Sequence, residues 1–316
     1  MNPDNKSTAK TERESLLKKY YQYLRLEKSL SANTLDAYKR DLDKLLGFID
    51  VEGVELLDVT PEHIETFLAG LHDIGITARS QARILSGIKS FFNFLVLRDI
   101  IEVDPTELIE GPKIGLKLPE VLTVEEIDRM IEAIDLSKNE GQRNRAMLET
   151  LYSCGLRVSE LINLKLSDLF FDEEFIRVIG KGNKQRLVPI SPRAVKEISL
   201  YMIDRNAGRI KPGFEDYLFL ARWGNGISRI QVFQLIKHLA NEVGITKNIS
   251  PHTFRHSFAT HLLEGGANLI AIQNMLGHES VTTTEIYTHI DTRRMRSEII
   301  EHHPRNIKYR QEHSGL

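Results

Sequence analysis

The residues best suited to chemistry in this 316-residue chain fall in five short segments. SCGLRVSEL places Arg157 and Glu160 three apart, just past a glycine. GKGNKQR sets Lys181 between two glycines, and SPHTFRHSFATHLLEGG carries His252 and Arg255 about one helical turn apart. MLGHES brings His278 directly after Gly277, and TTTEIYTHI carries Tyr287. Together these groups match the needs of a phosphodiester. Phosphoryl transfer is mostly positioning plus charge stabilisation of the non-bridging oxygens. Two guanidiniums supply that, because the fork fits phosphate and keeps its charge. A tyrosine is a poor nucleophile alone: with a pKa of ~10, about one in a thousand is phenolate at neutral pH, a deficit of ~4 kcal/mol. Neighbouring Arg and His cations reduce that deficit, and a histidine can take the proton. The leaving oxygen needs a proton in turn, which a lysine or histidine at the phosphate can give.

Taken singly, each residue has a plainer reading. Arg157 could be a local ion-pair partner of Glu160, Lys181 a solvated turn residue, His252 a helix cap and Arg255 a salt-bridge partner. His278 could be a cation at a helix C-terminus, and Tyr287 an amphipathic core residue. His252, His256 and His261 raise the question of zinc, but Thr253 stands where HExxH has glutamate, and no acidic pair has two-metal spacing. The expectation is therefore no metal. Cys154, the one cysteine, excludes an internal disulfide and is expected to be a buried small side chain.

The elements that must position these groups are mostly helices. Residues 1–12 are polar and are expected to be a flexible tail. Residues 13–108 read as a helical domain. Tyr38, Leu42, Leu45, Leu46 and Ile49 share one helical face; Thr60-Pro61 opens a helix with Ile64, Phe67, Leu68 and Leu71 inward. A third helix buries Ile84, Ile88, Phe91, Phe92 and Leu95. Its opposite stripe of Arg79, Arg83, Ser86 and Ser90 is either a solvated face or a set of DNA contacts. Residues 109–119, rich in Pro, Gly and Lys, read as a linker. A second domain, 120–316, begins with the capping box Thr123–Glu126 and carries Val124, Ile127, Met130, Ile131 and Ile134 on one face. Further helices follow through Met147, Leu148 and Leu151 to a stop near Gly155, and then through Val158, Leu161 and Ile162. Between 166 and 191 the period changes to that of strands, around Phe175–Ile179 and Arg186–Ile190, with Lys181 in the turn. The chain then reads as helical to about Ile300, with a frayed tail beyond.

Charge alone announces no nucleic-acid binder: the formal net charge is −2. Split after Glu110, the first part has 14 Lys+Arg against 19 Asp+Glu and the second 28 against 25, so they carry −5 and +3. Any field for DNA must come from local arrangement. No apolar run approaches the ~20 residues of a membrane span, and the polar start is no secretory signal. Cytoplasmic location is the expectation.

The ordered set Arg157, Lys181, His252-x-x-Arg255, His278 and Tyr287 resembles the signature of the tyrosine recombinases, the phage integrase family. The wording agrees as well, in GLRVSEL, GKGNKQR, HTFRHSFATHLL and LGHESVTTTEIYTH. SANTLDAYKRDL resembles the start of that family's N-terminal core-binding domain, and the compact length and the ending EIIEHHPRN are similar to its bacterial Xer branch, the XerC/XerD type. The resemblance covers nearly the whole chain, with no departure at the six positions. It implies a mainly α, two-domain fold: a helical core-binding (SAM-like) bundle, then an α+β catalytic domain with a small antiparallel sheet. Tyr287 would attack the scissile phosphate to give a 3′-phosphotyrosyl link and a free 5′-hydroxyl. Arg157 and Arg255 would hold the non-bridging oxygens, Lys181 would protonate the leaving oxygen, His252 would assist proton transfer and His278 would hydrogen-bond the phosphate. Glu160 would support Arg157. No cofactor, metal or ATP is implied. The implied partners are double-stranded DNA with a specific recombination site, three further protomers, identical or paralogous, and a DNA translocase activator. A helix within about 292–310 would dock onto a neighbouring subunit. The activity would be Xer-type resolution of chromosome or plasmid dimers, serving chromosome partition and cell division. The alternatives are DNA integration by a mobile element's integrase and, from another class, a non-catalytic DNA-binding regulator.

Overall fold

Apolar residues at helical spacing make helices wherever a partner face exists to cover them, and the first 115 residues do this four times. The computed structural model describes residues 3–115, 120–180, 183–277 and 289–313, in two units, Met1–Lys117 and Leu118–Leu316. In the first, α1 (Pro3–Leu26), α2 (Ala32–Glu52), α3 (Pro61–Asp73) and α4 (Ala78–Leu97) surround one core. Leu42, Leu45, Leu46 and Ile49 meet Ile64, Phe67 and Leu71, and both sets meet Ile84, Ile88, Phe91, Phe92 and Leu95. Each such side chain contributes roughly 1.5–3 kcal/mol on burial. Tyr38 and Leu68 only lean against this core. Ser31 and Thr77 cap α2 and α4, accepting from the amides of Thr34 and Ser80.

Two boundaries differ from expectation. The polar stretch read as a tail is helical from Pro3 onward, as the first turns of α1. The expected linker loses its first residue, because Ile109 is buried in the N-terminal core; residues 116–119 lie outside the described residues.

The second unit is built around α6 (Gly141–Ser153), preceded by α5 (Val124–Glu132) and followed by the short α7 (Val158–Ile162). Every residue of α6 from Ala146 to Ser153 is buried, the mark of a central helix rather than a surface one. Its polar members therefore need partners. The Thr150 hydroxyl donates to the Ala146 carbonyl at 2.7 Å, and Ser153 Oγ accepts from Ser191 at 3.0 Å. Three antiparallel strands follow, β1 (Leu169–Phe170), β2 (Phe175–Ile179) and β3 (Gln185–Pro189), in that spatial order. The register pairs Val178 with Arg186 and Ile179 with Gln185. Then come α8 (Pro192–Ala207), α9 (Arg229–Glu242), α10 (Pro251–Glu264), α11 (Leu269–Leu276), α12 (His289–His302) and α13 (Pro304–His313).

The expected run of helix after the sheet is interrupted. Between α8 and α9 the chain is irregular, with only isolated bridges at Lys165–Tyr217 and Leu220–Gly226. Arg205 holds this segment: its guanidinium donates to the carbonyls of Glu215, Tyr217 and Leu218. Backbone acceptors satisfied by one buried side chain substitute for regular structure.

The C-terminal segment is likewise not a frayed tail, because it forms α12 and α13. Met295 and Ile299 complete the core of their own unit. Arg305, 1% exposed, pairs with Glu149 at 3.0 Å and with Asp128, and Arg193 reaches the other Glu149 oxygen at 2.8 Å. Residues 295–306 of the span expected to dock onto another subunit pack against their own unit in this single chain. His303 is fully buried between Tyr152 and Phe258, and the Tyr152 hydroxyl lies 2.8 Å from His261 Nδ1 on α10. Burial, then the charges of Arg305 and His261, push the His303 imidazole down to about 3.

Acid should loosen this segment. An unfolded histidine binds its proton near pH ~6.5, whereas buried His303 does so only near 3. Between those values the released state holds more protons, so docking weakens by about 1.4 kcal/mol per pH unit below ~6.5. His261, also lowered by burial, acts in the same direction. Amide protection factors in residues 299–308, with the base-catalysed intrinsic rate divided out, are expected to fall steeply from pH 7 to pH 5. His303→Phe should flatten that fall; an unchanged profile in the variant would contradict the assignment.

Candidate active site

A carboxylate near three arginines must either leave the core or bind them, and Glu160 binds them. It sits on α7 at 5% exposure. Its Oε1 accepts from Arg157 Nη1 at 2.8 Å, and its Oε2 accepts from the Arg157 backbone amide at 2.8 Å. Arg186 on β3 lays its fork across both oxygens, again at 2.8 Å each. Arg255 Nη1 on α10 comes to 3.8 Å. Burial by itself would raise the Glu160 carboxyl, but the hydrogen bonds and charge of Arg186, with those of Arg157, hold it below the ordinary range. Arg255 is pushed down to about 10 by burial and then by repulsion from Arg157, so it remains a cation at neutral pH.

The three guanidiniums also converge on the end of α11. Arg186 Nε donates to the Met275 carbonyl at 2.8 Å, Arg255 Nη2 to that of Leu276, and Arg157 Nη2 to that of Gly277 at 3.4 Å. A helix C-terminus presents carbonyls that its own turns cannot satisfy, and cations stabilise it there. Gly277 closes α11 with φ 65°. A Cβ at that position would sit 3.3 Å from the Arg186 side chain.

Gly155 explains the glycine before Arg157. Its φ is 57°, and an added Cβ would lie 2.4 Å from the Phe258 ring. Its carbonyl accepts from Arg255 Nη1 at 2.8 Å. The contact therefore draws α10 and the Arg157 segment together at a separation only glycine permits. His252 stands exposed at the start of α10, in the same turn as buried Arg255.

Of the six residues expected to carry chemistry, Arg157, Arg255 and His252 lie in described segments, and the first two meet at Glu160. Lys181, His278 and Tyr287 lie outside the described residues. Their described neighbours are nonetheless placed. Gly180 donates to the Lys184 carbonyl at 2.8 Å, and an added Cβ there would be 3.5 Å from Arg186 Nη1 and 3.7 Å from Glu160 Oε1. Gly277, immediately before His278, accepts from Arg157.

The stripe on α4 divides in two. Ser90 accepts a hydrogen bond from buried Tyr20 at 3.0 Å, and Arg83 pairs with buried Asp41. Both therefore have structural work within their own unit, although Arg83 is also exposed, as are Arg79 and Ser86. His261 is turned to Tyr152, while His252 is exposed. Cys154 is fully buried, and burial raises its thiol far above the usual range, which leaves no reactive thiolate.

Arg186 was missed by sequence reasoning. The available signal is its register: β3 alternates so that Arg186 and Val188 face inward, and an inward charge requires a buried partner.

Known proteins resemble the chain along nearly all of it. Residues 120–294 match the Phage integrase family, and residues 17–99 match its N-terminal SAM-like domain. Tyrosine recombinase XerD of Staphylococcus saprophyticus is 41% identical over 293 residues, covering 92% of this chain and 99% of that protein. XerD of Staphylococcus aureus is 40% identical over the same length. Among solved structures, XerH recombinase bound to its difH substrate is 26% identical, with a TM-score of 0.63, covering 83% of this chain and 77% of that one. A lambda integrase dimer on a core site, 19% identical with a TM-score of 0.67, shares the fold. Among the described residues no helix is long and apolar enough to cross a membrane.

The buried pair yields a stability prediction. Glu160→Gln leaves Arg186 buried without its countercharge and is expected to cost about 3–5 kcal/mol in denaturant unfolding. Adding Arg186→Met should recover part of that loss, because the orphaned charge is removed with it. Strictly additive losses would mean that the two side chains do not share one buried pair.

Proposed function

As a member of the phage integrase family, this chain is a site-specific tyrosine recombinase of the Xer type, and we propose that it breaks and rejoins double-stranded DNA through a 3′-phosphotyrosyl bond to Tyr287. The observation that carries this reading is the meeting of Arg157 and Arg255 at Glu160, against the end of α11 that leads into His278. Two guanidiniums gathered at one carboxylate suit the two non-bridging oxygens of one phosphate.

In this reading Tyr287 attacks the phosphorus and the bond to the 5′-oxygen breaks. Lys181 gives that oxygen its proton, His252 helps to move the tyrosine proton, and His278 donates to the phosphate. Glu160 holds the arginines. The phosphodiester energy is kept as a protein ester, so rejoining needs only the reverse attack by a 5′-hydroxyl. Exchange between two duplexes requires four strand cleavages, and one tyrosine per chain then asks for four protomers, identical or paralogous. Arg79, Arg83 and Ser86 are the exposed members of the α4 stripe and its candidate DNA contacts. The biological role that fits is resolution of chromosome or plasmid dimers in the cytoplasm, with a DNA translocase as activator. Identity of 40–41% to XerD recombinases across 92% of the chain supports that role over a mobile element's integrase.

The test is a covalent-adduct assay without metal or ATP, on duplexes selected by tight binding and nicked near their centre. The wild-type protein should form a protein–DNA adduct, and Tyr287→Phe should form none. Arg157→Ala and Arg255→Ala should each slow adduct formation by about 10²–10³ while still binding DNA. Tight binding with no adduct on any selected duplex would overturn the proposal in favour of a DNA-binding regulator.

A further inference from the structure

We infer that Arg186 is a positioning residue for the leaving-group proton: it anchors the hairpin end that carries Lys181 to the arginine pair through Glu160 and the Met275 carbonyl. The inference rests on the reading above, in which Lys181 protonates the 5′-oxygen. Arg186 is 6% exposed and lies on β3, directly opposite Val178 on β2. The turn it helps to close begins at Gly180, next to Lys181, and Gly180 packs over the Arg186–Glu160 pair.

The three donors of Arg186 reach two elements. Nη1 and Nη2 take Glu160 on α7, and Nε takes Met275 on α11. One rigid planar group thus fixes the hairpin relative to the residues that hold the phosphate. A lysine could keep the charge, but its single ammonium cannot span both oxygens and the carbonyl in fixed geometry. Misplacing a general acid by about 1 Å is enough to slow a reaction by roughly 10².

The chemistry offers a readout that a purely structural role would not move. When Tyr287 attacks, the P–O5′ bond breaks and the oxygen must collect a proton from Lys181, because an alkoxide is a poor leaving group, the pKa of water itself being ~15.7. Replacing that bridging oxygen by sulfur removes the need: the P–S bond breaks to a thiolate, whose conjugate acid has a pKa of ~8.5, and no proton transfer is required. A variant impaired in delivering the proton should regain its rate on the sulfur substrate. A variant impaired in holding the phosphate should not.

The experiment compares single-turnover cleavage of nicked duplexes bearing 5′-bridging oxygen or 5′-bridging sulfur, with DNA affinity and unfolding measured alongside. Arg186→Lys is expected to slow cleavage of the oxygen substrate by about 100-fold, with DNA affinity within about twofold, and to recover most of the rate on sulfur. Lys181→Ala should show the same recovery, and Arg157→Lys should stay slow on both. Equal slowing of Arg186→Lys on the two substrates, or no slowing on oxygen, would overturn the inference while Lys181→Ala still recovers. Failure of Lys181→Ala to recover would instead overturn the assignment of Lys181 as acid, and this inference with it. If Arg186→Lys does not fold, the double variant Glu160→Leu/Arg186→Met removes both buried charges together. Its sulfur-to-oxygen rate ratio should exceed the wild-type ratio, and an unchanged ratio would count against the inference.

Discussion

One carboxylate shared by three guanidiniums sets the electrostatics of the catalytic unit. Glu160 balances a single charge of Arg157, Arg186 and Arg255, which leaves the cluster short of negative charge by two. Three arginines this close repel one another, and without Glu160 that repulsion would be felt in a poorly solvated place. The residual positive charge is what a phosphodiester can satisfy. Glu160 therefore stabilises the cradle without neutralising it. The division of labour follows from exposure. The Arg186 and Arg255 side chains, at 5% and 6%, are turned into the protein, while that of Arg157, at 39%, is the open member of the three.

The framework around that cluster is fixed by close contacts rather than by long helices. α7 has five residues and β3 has five; neither would persist alone. Gly155 lets the Phe258 ring press against the chain just before Arg157, and the α11 carbonyls accept from all three arginines. The helix end contributes its unsatisfied oxygens, and the arginines contribute donors that have no other use. Each need is met by the other, so the site's rigidity comes from groups that would be costly to leave unpaired.

How much of this was legible in the sequence depends on whether a partner was local. The periodic faces of α2, α3 and α4 can be read from spacing alone because the helix itself brings those residues together. Arg157 and Glu160 are three apart, and their pairing could be seen. Arg186 meets Glu160 across 26 residues and Met275 across 89, and no local pattern encodes such distances beyond the hint of an inward charge on β3. The same holds for Ser90, whose partner Tyr20 is 70 residues away: on the sequence it belongs to a polar stripe, in the fold to the core. The irregular segment after α8 was misread as helical because its order comes from Arg205 and not from its own backbone pattern.

The C-terminal segment shows the same logic with a consequence for α10. That helix is held from two sides: Arg255 ties it to Glu160, and His261 ties it to Tyr152, which in turn packs against His303 and Arg305. Arg305 meets Glu149 across 156 residues, a separation that no local pattern encodes. Moving them elsewhere would leave Glu149, 0% exposed, without the strongest of its countercharges. Breaking such a buried pair costs about 3–5 kcal/mol unless an equivalent arginine replaces it. Any rearrangement of residues 295–306 is therefore constrained to an exchange of like for like, and α10, with Arg255 on it, would register the change through Tyr152 and His261.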